Sequence, residues 1–239
     1  MSAILVKDLK KTYKSGKEVL HGLNLEIKKG EFVGLLGPNG AGKTTTINCI
    51  TGISSISSGS VEVYGHNVVE DYRTARAKIG LSPQEWVIDM FQTVEEILYF
   101  QAGFFGVVGQ ERQDRLENLL NIFNLQEHRT KKFMTLSGGL KRRAAVAKAL
   151  IHEPQILILD EPTAGVDVET RQEIWKYLKD LHAKGKTIVL TSHYLEEIQE
   201  MCERVVIIKN GAIIYDEKID KERSGRELET LYLTQVANN

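Results

Sequence analysis

The stretch from Phe32 to Ile47 reads FVGLLGPNGAGKTTTI and joins three local patterns. Its first five residues are apolar or glycine and predict a buried strand, whereas the residues from Lys43 onward predict a helix. Between the two, Gly37 to Thr44 matches the pattern G-x-x-x-x-G-K-[ST]. A glycine-rich turn between a strand and a helix is the context in which this pattern indicates a phosphate-binding loop. A plain glycine turn before a helix is the alternative.

The loop carries the residue types that bind a triphosphate. Its glycines lack a Cβ, so backbone N–H groups can surround an anion. The next helix points its positive N-terminus at the β-phosphate, Lys43 adds a full charge near the β and γ oxygens, and the Thr44 hydroxyl can ligate Mg²⁺. Thr45 is placed to reach the α-phosphate. The predicted phosphate-binding residues are Gly37, Pro38, Asn39, Gly40, Ala41, Gly42, Lys43, Thr44 and Thr45.

Composition narrows the choice of partners. The chain has 239 residues and a formal net charge of −1, so a field strong enough to gather nucleic acid or anionic lipid is not expected. Cys49 and Cys202 are far apart and predict buried thiols of a reducing compartment. No signal peptide is expected from Met1 to Leu5, and no segment approaches the roughly 18 apolar residues of a membrane helix. A function at a membrane would therefore need spans from another chain.

An apolar run that ends in two acids predicts the other half of the site. Residues 156–159 are four consecutive aliphatic residues, as in a central parallel strand covered on both faces. Asp160, at the carboxyl end of that strand, would lie beside the phosphate loop, where Mg²⁺ must be held. Glu161 points elsewhere and could polarise an attacking water. The alternative is an acidic strand end without a function.

Two more polar residues follow strands at the same edge of the predicted sheet. His193 comes after the buried strand 187–191, and a histidine there can donate a hydrogen bond to a phosphate oxygen. Gln84 follows the strand at 79–82, where the ligand-facing loops of open α/β sheets lie. Taken alone, the histidine is consistent with a structural role and the glutamine with a solvated loop.

A second glycine-containing loop, Leu136 to Leu140, precedes a helix predicted over 141–152. Ser137 can cap that helix, while Gly138 and Gly139 leave their N–H groups bare for an anion. A simple Ser-Gly-Gly turn is the alternative. The basic residues that follow are predicted to form one solvated helix face: Lys141, Arg142 and Arg143.

The residues alone do not decide the roles of three further features. Tyr13 is either a core or hairpin residue or a ring that stacks on a flat base. Asp167 can cap a helix that runs to about Lys184. The stretch 93–124 is mostly helical and rich in aromatic residues. It predicts the core of a helical subdomain, with an apolar patch for a partner as the alternative.

In this order the motifs resemble those of ATP-binding cassette (ABC) ATPases over nearly the whole chain. The resemblance is greatest to ATPase subunits of bacterial exporters that work with a separately encoded permease. The motifs are Tyr13, Gly37 to Thr45, Gln84, Leu136 to Leu140, Ile156 to Glu161, Asp167 and His193.

The resemblance implies an α/β fold of the P-loop NTPase class. Its mostly parallel core sheet would be flanked by helices and joined by an N-terminal antiparallel β-subdomain and an inserted helical subdomain at about 85–152. The ATPase domain would cover 1–223. Residues 224–239 would be a tail that can form a short docking helix.

The resemblance also assigns roles to residues of the first nucleotide site. Tyr13 would stack on adenine, and the loop 37–45 would be the Walker A loop. Asp160 would be the Walker B acid that holds Mg²⁺ together with Thr44, and Glu161 would be the catalytic base. Gln84 would touch Mg²⁺ or the lytic water and sense the permease. His193 would contact the γ-phosphate.

Other residues would act across a subunit interface. Ser137, Gly138 and Gly139 would serve the nucleotide held by a second copy of the chain, and Asp167 would join the two sites. The family's signature loop usually ends in glutamine, whereas this one ends in Leu140. That departure puts the turnover rate or the dimer contact in doubt.

The implied function is ATP hydrolysis with Mg²⁺ by a head-to-tail homodimer. It would be coupled to an integral membrane permease from the cytoplasmic face of the inner membrane, with no nucleic-acid partner. The alternatives are a non-transport ABC ATPase of DNA repair or translation, an importer ATPase, and a regulatory module that binds ATP without cleaving it.

Overall fold

The structure, a computed structural model, describes residues 1–85, 87–220 and 225–238. The strands are β1 (Ser2–Thr12), β2 (Glu18–Lys28), β3 (Phe32–Leu36), β4 (Ser58–Val63), β5 (His66–Asn67), β6 (Ile79–Ser82), β7 (Ile156–Asp160), β8 (Thr187–Thr191), β9 (Arg204–Lys209) and β10 (Ala212–Lys218). The helices are α1 (Lys43–Ile50), α2 (Tyr72–Ala77), α3 (Val94–Phe104), α4 (Gly109–Ile122), α5 (Gly138–Leu150), α6 (Val168–Ala183), α7 (Leu195–Met201) and α8 (Gly225–Asn238).

The strands divide into two sheets. The N-terminal sheet is antiparallel, with the strand order β2-β1-β4-β5. The central sheet has the order β10-β9-β3-β8-β7-β6, and its neighbouring strands are parallel except for the β9–β10 hairpin. The predicted α/β architecture, with a mostly parallel core and an antiparallel subdomain, is therefore confirmed.

The central sheet is covered on both faces, which explains the unbroken aliphatic run in β7. Ile156 and Ile158 pack with residues of the N-terminal sheet and of α1. Leu157 and Leu159 point the other way, into the apolar cluster that holds residues of α3 to α8. A strand buried on both faces has no polar side, so its sequence cannot alternate.

One edge of the central sheet collects the segments predicted to bind phosphate. The parallel strands β3, β6, β7 and β8 all end there, and the loop after β3 leads into α1. In the central sheet, β6, β7 and β8 lie on one side of β3, whereas β9 and β10 lie on its other side. The direction in which strands are added to the sheet therefore reverses at β3. Such a reversal opens a crevice beyond the carboxyl ends of the strands.

The helical insertion departs from the prediction of one mostly helical stretch over 93–124. It divides into α3 and α4, with a break at 105–108. Gly106 (φ 76°) and Gly109 (φ 63°) take left-handed conformations around this break, which a continuous helix does not accommodate. A capping box at Thr93 begins α3, because its hydroxyl accepts from the Glu96 N–H and the Glu96 carboxylate accepts from the Thr93 N–H.

The aromatic residues of this region do not share one environment. Ile97 and Leu98 are buried, as a subdomain core requires. Phe91, Phe100 and Phe104 are instead 69%, 49% and 85% exposed. For these three rings the core interpretation is wrong: Phe100 and Phe104 lie on an exposed side of α3, and Phe91 is exposed in the segment before that helix.

The C-terminal helix α8 packs against the rest of the protein. In α8, Leu228 is buried in the apolar cluster that also holds residues of β9. The division of the chain into domains at residue 223 stays a prediction.

Cys49 and Cys202 are both buried free thiols, as predicted. Across the described residues, every helix is too short or too polar to cross a lipid bilayer.

Candidate functional site

The glycine loop passes from β3 into α1 and faces the crevice. A Cβ at Gly37 would lie 2.1 Å from the carbonyl oxygen of Ile208, so only glycine lets the loop run this close to β9. Lys43, the first residue of α1, donates from Nζ to the carbonyl oxygens of Gly37 at 2.7 Å and Pro38 at 3.2 Å. The ammonium therefore lies over the same loop whose amides open towards an anion.

The charge of Lys43 is partly withdrawn from water. Burial lowers the pKa of Lys43, while the carboxylates of Glu161 and Asp160 act in the opposite direction. A ligand that brings further negative charge to this point would stabilise the ammonium.

Asp160 is fixed by contacts with two threonines. It is 3% exposed and pairs with Thr191 across β7 and β8. The hydroxyl of Thr191 donates to its Oδ1 at 2.5 Å, and the hydroxyl of Thr44 donates to its Oδ2 at 3.2 Å. The carboxylate is thus held directly beside the first turn of α1.

The oxygen donors at this point fit Mg²⁺. Among the described residues there is no group of three or more His, Cys, Asp and Glu side chains that could hold a metal. Mg²⁺ does not need one, because it takes one or two protein oxygens and completes its shell with phosphate and water oxygens. The adjacent Thr44 hydroxyl and Asp160 carboxylate supply such oxygens.

Glu161 occupies a strained position and is oriented by its neighbours. Its φ of 52° lies in the left-handed region, which is unusual for a glutamate. Its N–H donates to the Thr191 carbonyl oxygen at 3.1 Å and to the Thr191 hydroxyl at 3.0 Å. Nε2 of Gln84 donates to Oε2 of Glu161 at 3.2 Å, and Nδ1 of His193 lies 3.2 Å from the same oxygen. The fold therefore brings these three predicted residues together.

An open cavity of about 370 Å³ lies over the loop and the carboxylates. Its lining combines N–H groups, hydroxyls and one pair of acids, as a polyphosphate with a cation would require. The lining residues are Lys17, Val19, Asn39, Gly40, Ala41, Gly42, Lys43, Thr44, Thr45, Gln84, Asp160 and Glu161.

Tyr13 lies in the turn between β1 and β2, near the start of α1. Its N–H donates to the Lys17 carbonyl oxygen at 2.9 Å, which makes it a hairpin residue. The side chain is not in the core: the residue is 39% exposed, and its hydroxyl lies 3.3 Å from the hydroxyl of Thr45. The ring is thus available beside the loop.

The second glycine loop lies apart from this cavity. Ser137 caps α5, accepting from the Leu140 N–H at 3.4 Å, and is itself exposed. A Cβ on Gly139 would lie 3.1 Å from the hydroxyl of Thr170, close to the start of α6. Asp167 caps α6 by accepting from the Thr170 N–H at 2.8 Å. In the part of the chain that is described, Ser137, Gly138, Gly139 and Asp167 do not line the cavity.

Two residues of the region were missed or misplaced by the sequence interpretation. Arg142, predicted to lie on a solvated face, is only 3% exposed and donates to the carbonyl oxygen of Pro83 at 3.3 Å. The small residues Ala145 and Ala149, three and seven positions later, were the available signal that this helix face packs closely. Thr191 was recognised only as the end of a strand, although its hydroxyl donates to the Asp160 carboxylate and accepts from the Glu161 N–H.

A comparison with protein families decides the identity. The family model described as "ABC transporter" matches residues 20–164 of the chain.

The chain belongs to the ABC transporter family.

Curated relatives extend this match. The chain is 40% identical over 208 residues to the linearmycin resistance ATP-binding protein LnrL of Bacillus subtilis, which covers 87% of the chain and 67% of the relative. It is 40% identical over 210 residues to the Nod factor export ATP-binding protein I of Paraburkholderia xenovorans, covering 88% and 69%. The chain thus spans about two thirds of the length of these relatives.

Solved structures of ABC proteins share the fold. An ATP-binding subunit of an ABC transporter superposes with a TM-score of 0.88 at 29% identity and covers 98% of this chain and 99% of its own. A dimeric post-hydrolysis state of an ATP-binding cassette, bound to ADP and Pi, gives a TM-score of 0.83 at 31% identity, with 91% and 99% covered. This ABC chain is accordingly an ATP-binding subunit and an ATPase, and ABC ATPase domains of its kind dimerise.

Proposed function

We propose that two copies of this ABC ATPase close head to tail around two ATP molecules and thereby power export through a separate membrane permease. The proposal rests on the separation, within one chain, of the two loops that we predict to bind anions. The Gly37–Thr45 loop lines the cavity, whereas Ser137 is exposed beside α6. A two-fold dimer lets the Ser137 loop of one copy cover the cavity of the other.

The residues around the cavity suit the steps of ATP hydrolysis. The loop amides and Lys43 would hold the β- and γ-phosphates, and Thr44 and Asp160 would hold Mg²⁺. When bound, that ion neutralises the charge that develops on the phosphate oxygens. Glu161 would accept a proton from the attacking water, because its carboxylate is mostly shielded, with a side chain 15% exposed, and held in place.

Three further contacts would complete the reaction site. Gln84 and His193 both reach the Glu161 carboxylate, which supports a role for them in orienting the water and the γ-phosphate. In the closed dimer the hydroxyl of Ser137 and the bare N–H groups of Gly138 and Gly139 would bind the γ-phosphate of the neighbouring copy. Asp167, which holds the adjacent end of α6, would link the two sites.

Tyr13 is the proposed adenine contact, and the variant Tyr13→Ala tests it. We expect the ATP Kd to rise about tenfold, because stacking of a base on an aromatic ring contributes about 1–3 kcal/mol. Tyr13→Phe keeps the ring and removes only the hydroxyl near Thr45, so its Kd should stay near that of the wild type. Isothermal calorimetry gives both values. Equal affinities for the wild type and Tyr13→Ala would mean that the ring does not contact the base.

An exposed apolar surface on α3 supports a permease partner. Phe100 and Phe104 are four residues apart on α3, so they share one helix face, and both are exposed. Phe91, in the segment between Gln84 and α3, is exposed as well. Exposed aromatic clusters of this kind mark protein interfaces. A permease bound here would place the chain peripherally, on the cytoplasmic face of the inner membrane.

Export rather than import is favoured by the relatives, whose names refer to drug resistance and to export. The formal net charge of −1 gives no support to a nucleic-acid partner. Turnover stimulated by DNA or RNA, or retention of a solute-binding importer complex, would favour the rival functions.

Phe104→Ser tests the permease contact. The tagged variant is compared with the wild type in a pull-down from detergent-solubilised membranes, and retained polytopic proteins are identified by mass spectrometry. We expect recovery of the partner to fall about tenfold, since a buried aromatic anchor is often an interface hot spot. Leu233→Ser, a change at an exposed leucine of α8, serves as the control and should retain the partner. Equal recovery of the partner with the wild type and both variants would mean that Phe104 does not contact the permease.

A further inference from the structure

Arg142 is a buried cation that does not line the nucleotide cavity. Its Nη1 donates to the carbonyl oxygen of Pro83 at 3.3 Å, and Pro83 immediately precedes Gln84. Burial lowers the pKa of Arg142, and the carboxylates of Glu161 and Asp160 act in the opposite direction. The guanidinium therefore lies within electrostatic range of both acids and holds the backbone at the start of the Gln84 loop.

Helix α5 contacts this loop along one face. Arg142, Ala145 and Lys148 are spaced three residues apart, so they lie on the same side of the helix. Nζ of Lys148 donates to the carbonyl oxygen of Val87 at 2.9 Å. Ala145, between the two cations, is buried. Helix α5 thus holds the loop by hydrogen bonds to backbone carbonyls on either side of Gln84, those of Pro83 and Val87.

The strand that leads into the loop is also packed directly on α5. A Cβ on Gly80 of β6 would lie 2.1 Å from the carbonyl oxygen of Ala149, so only glycine permits this approach. Contacts this close leave little freedom for the helix and the strand to move independently. A displacement of α5 is therefore passed on to the backbone at Pro83.

The same helix begins at Ser137, the residue that would meet the neighbouring copy's nucleotide. A continuous path of contacts follows from there: α5 holds Pro83 through Arg142, and Gln84 donates to Glu161. Such a path connects one nucleotide site with the catalytic carboxylate of the other.

We propose that Arg142 is a positioning residue that couples the two ATP sites of the dimer. When Ser137 engages the nucleotide of the neighbouring copy, α5 sets Gln84 against Glu161 in its own chain through the Arg142–Pro83 contact. This inference rests on the proposed function, because it requires a closed dimer and a catalytic Glu161.

A double-mutant cycle on the full chain separates this role from a merely structural one. Phosphate release and ATP affinity are measured for the wild type, Arg142→Gln, Gln84→Ala and the double variant. We expect Arg142→Gln to lower kcat about tenfold with the ATP Kd within about twofold, and to cause almost no further loss once Gln84 is alanine. Arg142→Lys, which keeps the charge and part of the reach, should recover part of kcat.

Arg115→Gln is the matched control. Arg115 also donates from Nη1 to a backbone carbonyl at 3.3 Å, that of Ile151, but at the far end of α5. Its removal should leave kcat within about twofold of the wild type, because additivity holds for distant, independent sites. If Arg142→Gln fails to fold, as judged by thermal melting, the cycle is measured with Arg142→Lys instead.

The measurements distinguish a failure of the proposed coupling from a failure of the proposed dimer. An equal loss of kcat from the Arg142 change with and without Gln84 would overturn the proposed coupling, as would wild-type turnover in both Arg142 variants. A wild-type chain that forms no ATP-dependent dimer would overturn the proposed function, and the inference with it.

Discussion

Glu161→Gln should convert the ABC ATPase into an ATP-bound dimer that does not turn over. Glutamine keeps the size of the side chain and its place beside Thr191, but it cannot accept a proton from the attacking water. Loss of a general base typically lowers kcat by about 10²- to 10⁴-fold. The binding groups of the glycine loop are untouched, so ATP binding should persist. Phosphate release gives the rate, and light scattering with ATP and Mg²⁺ gives the molecular mass.

The chain contains a closely matched control for this change. Glu153 also has a left-handed backbone, with φ of 53°, but its side chain is 66% exposed and lies near Arg115. Glu153→Gln therefore makes the same chemical substitution in the same backbone conformation, away from the cavity. It should hydrolyse ATP at the wild-type rate and dissociate after turnover. A Glu161→Gln protein that stays monomeric with ATP would count against the dimer.

Lys43→Ala should weaken ATP binding by about 10- to 100-fold, because a hydrogen bond to a charged group contributes roughly 1.5–3 kcal/mol. The ammonium lies in the glycine loop and is partly desolvated, as the burial-lowered pKa of Lys43 indicates. The triphosphate supplies further negative charge beside the ammonium, in addition to the carboxylates of Glu161 and Asp160. Calorimetry with ATP and Mg²⁺ measures the change in Kd.

Lys186→Ala is the control for the loss of a partly buried lysine. Burial lowers the pKa of Lys186 too, and its Nζ donates to the backbone carbonyl of Pro154. It does not line the nucleotide cavity, so ATP affinity should be unchanged. The role of Lys43 would be contradicted by calorimetry that finds the same Kd for Lys43→Ala and the wild type.

The parts of the fold that local sequence determines could be predicted well. A glycine loop between a strand and a helix and an aliphatic strand that ends in acids each depend on neighbouring residues alone. The Asn210-Gly211 dipeptide is likewise a local signal, in this case for the turn between β9 and β10. Both turn residues have positive φ, at 49° and 72°, as a type I′ turn requires. These elements therefore lie where the sequence placed them.

The errors concern residues whose surroundings come from distant parts of the chain. Arg142 belongs to a basic run that is typical of an exposed helix face, yet its partner is Pro83, 59 residues earlier. Phe100 and Phe104 fit a helical core pattern, but the pattern cannot tell which face of α3 meets the rest of the protein. The break between α3 and α4 depends on two glycines that a periodic pattern passes over.

In the catalytic cluster, too, the features set by neighbouring residues could be predicted and the contacts between distant segments could not. The sequence indicated that Gln84, Glu161 and His193 follow strands at one edge of the sheet, because parallel strands end together. It did not reveal that the Thr191 hydroxyl binds the Asp160 carboxylate and the Glu161 N–H, since these contacts depend on the register of β7 against β8. Separation of Ser137 from the cavity was likewise implied only by family resemblance, not by spacing.

The central claim is that each ATP is enclosed by the glycine loop of one copy and the Ser137 loop of the other. The most direct test is the structure of the Glu161→Gln protein crystallised with ATP and Mg²⁺. We expect a two-fold dimer in which the Ser137 hydroxyl lies within hydrogen-bonding distance, about 2.5–3.0 Å, of the γ-phosphate that the neighbouring copy's Lys43 binds. A closed dimer in which Ser137 reaches neither nucleotide would contradict the account.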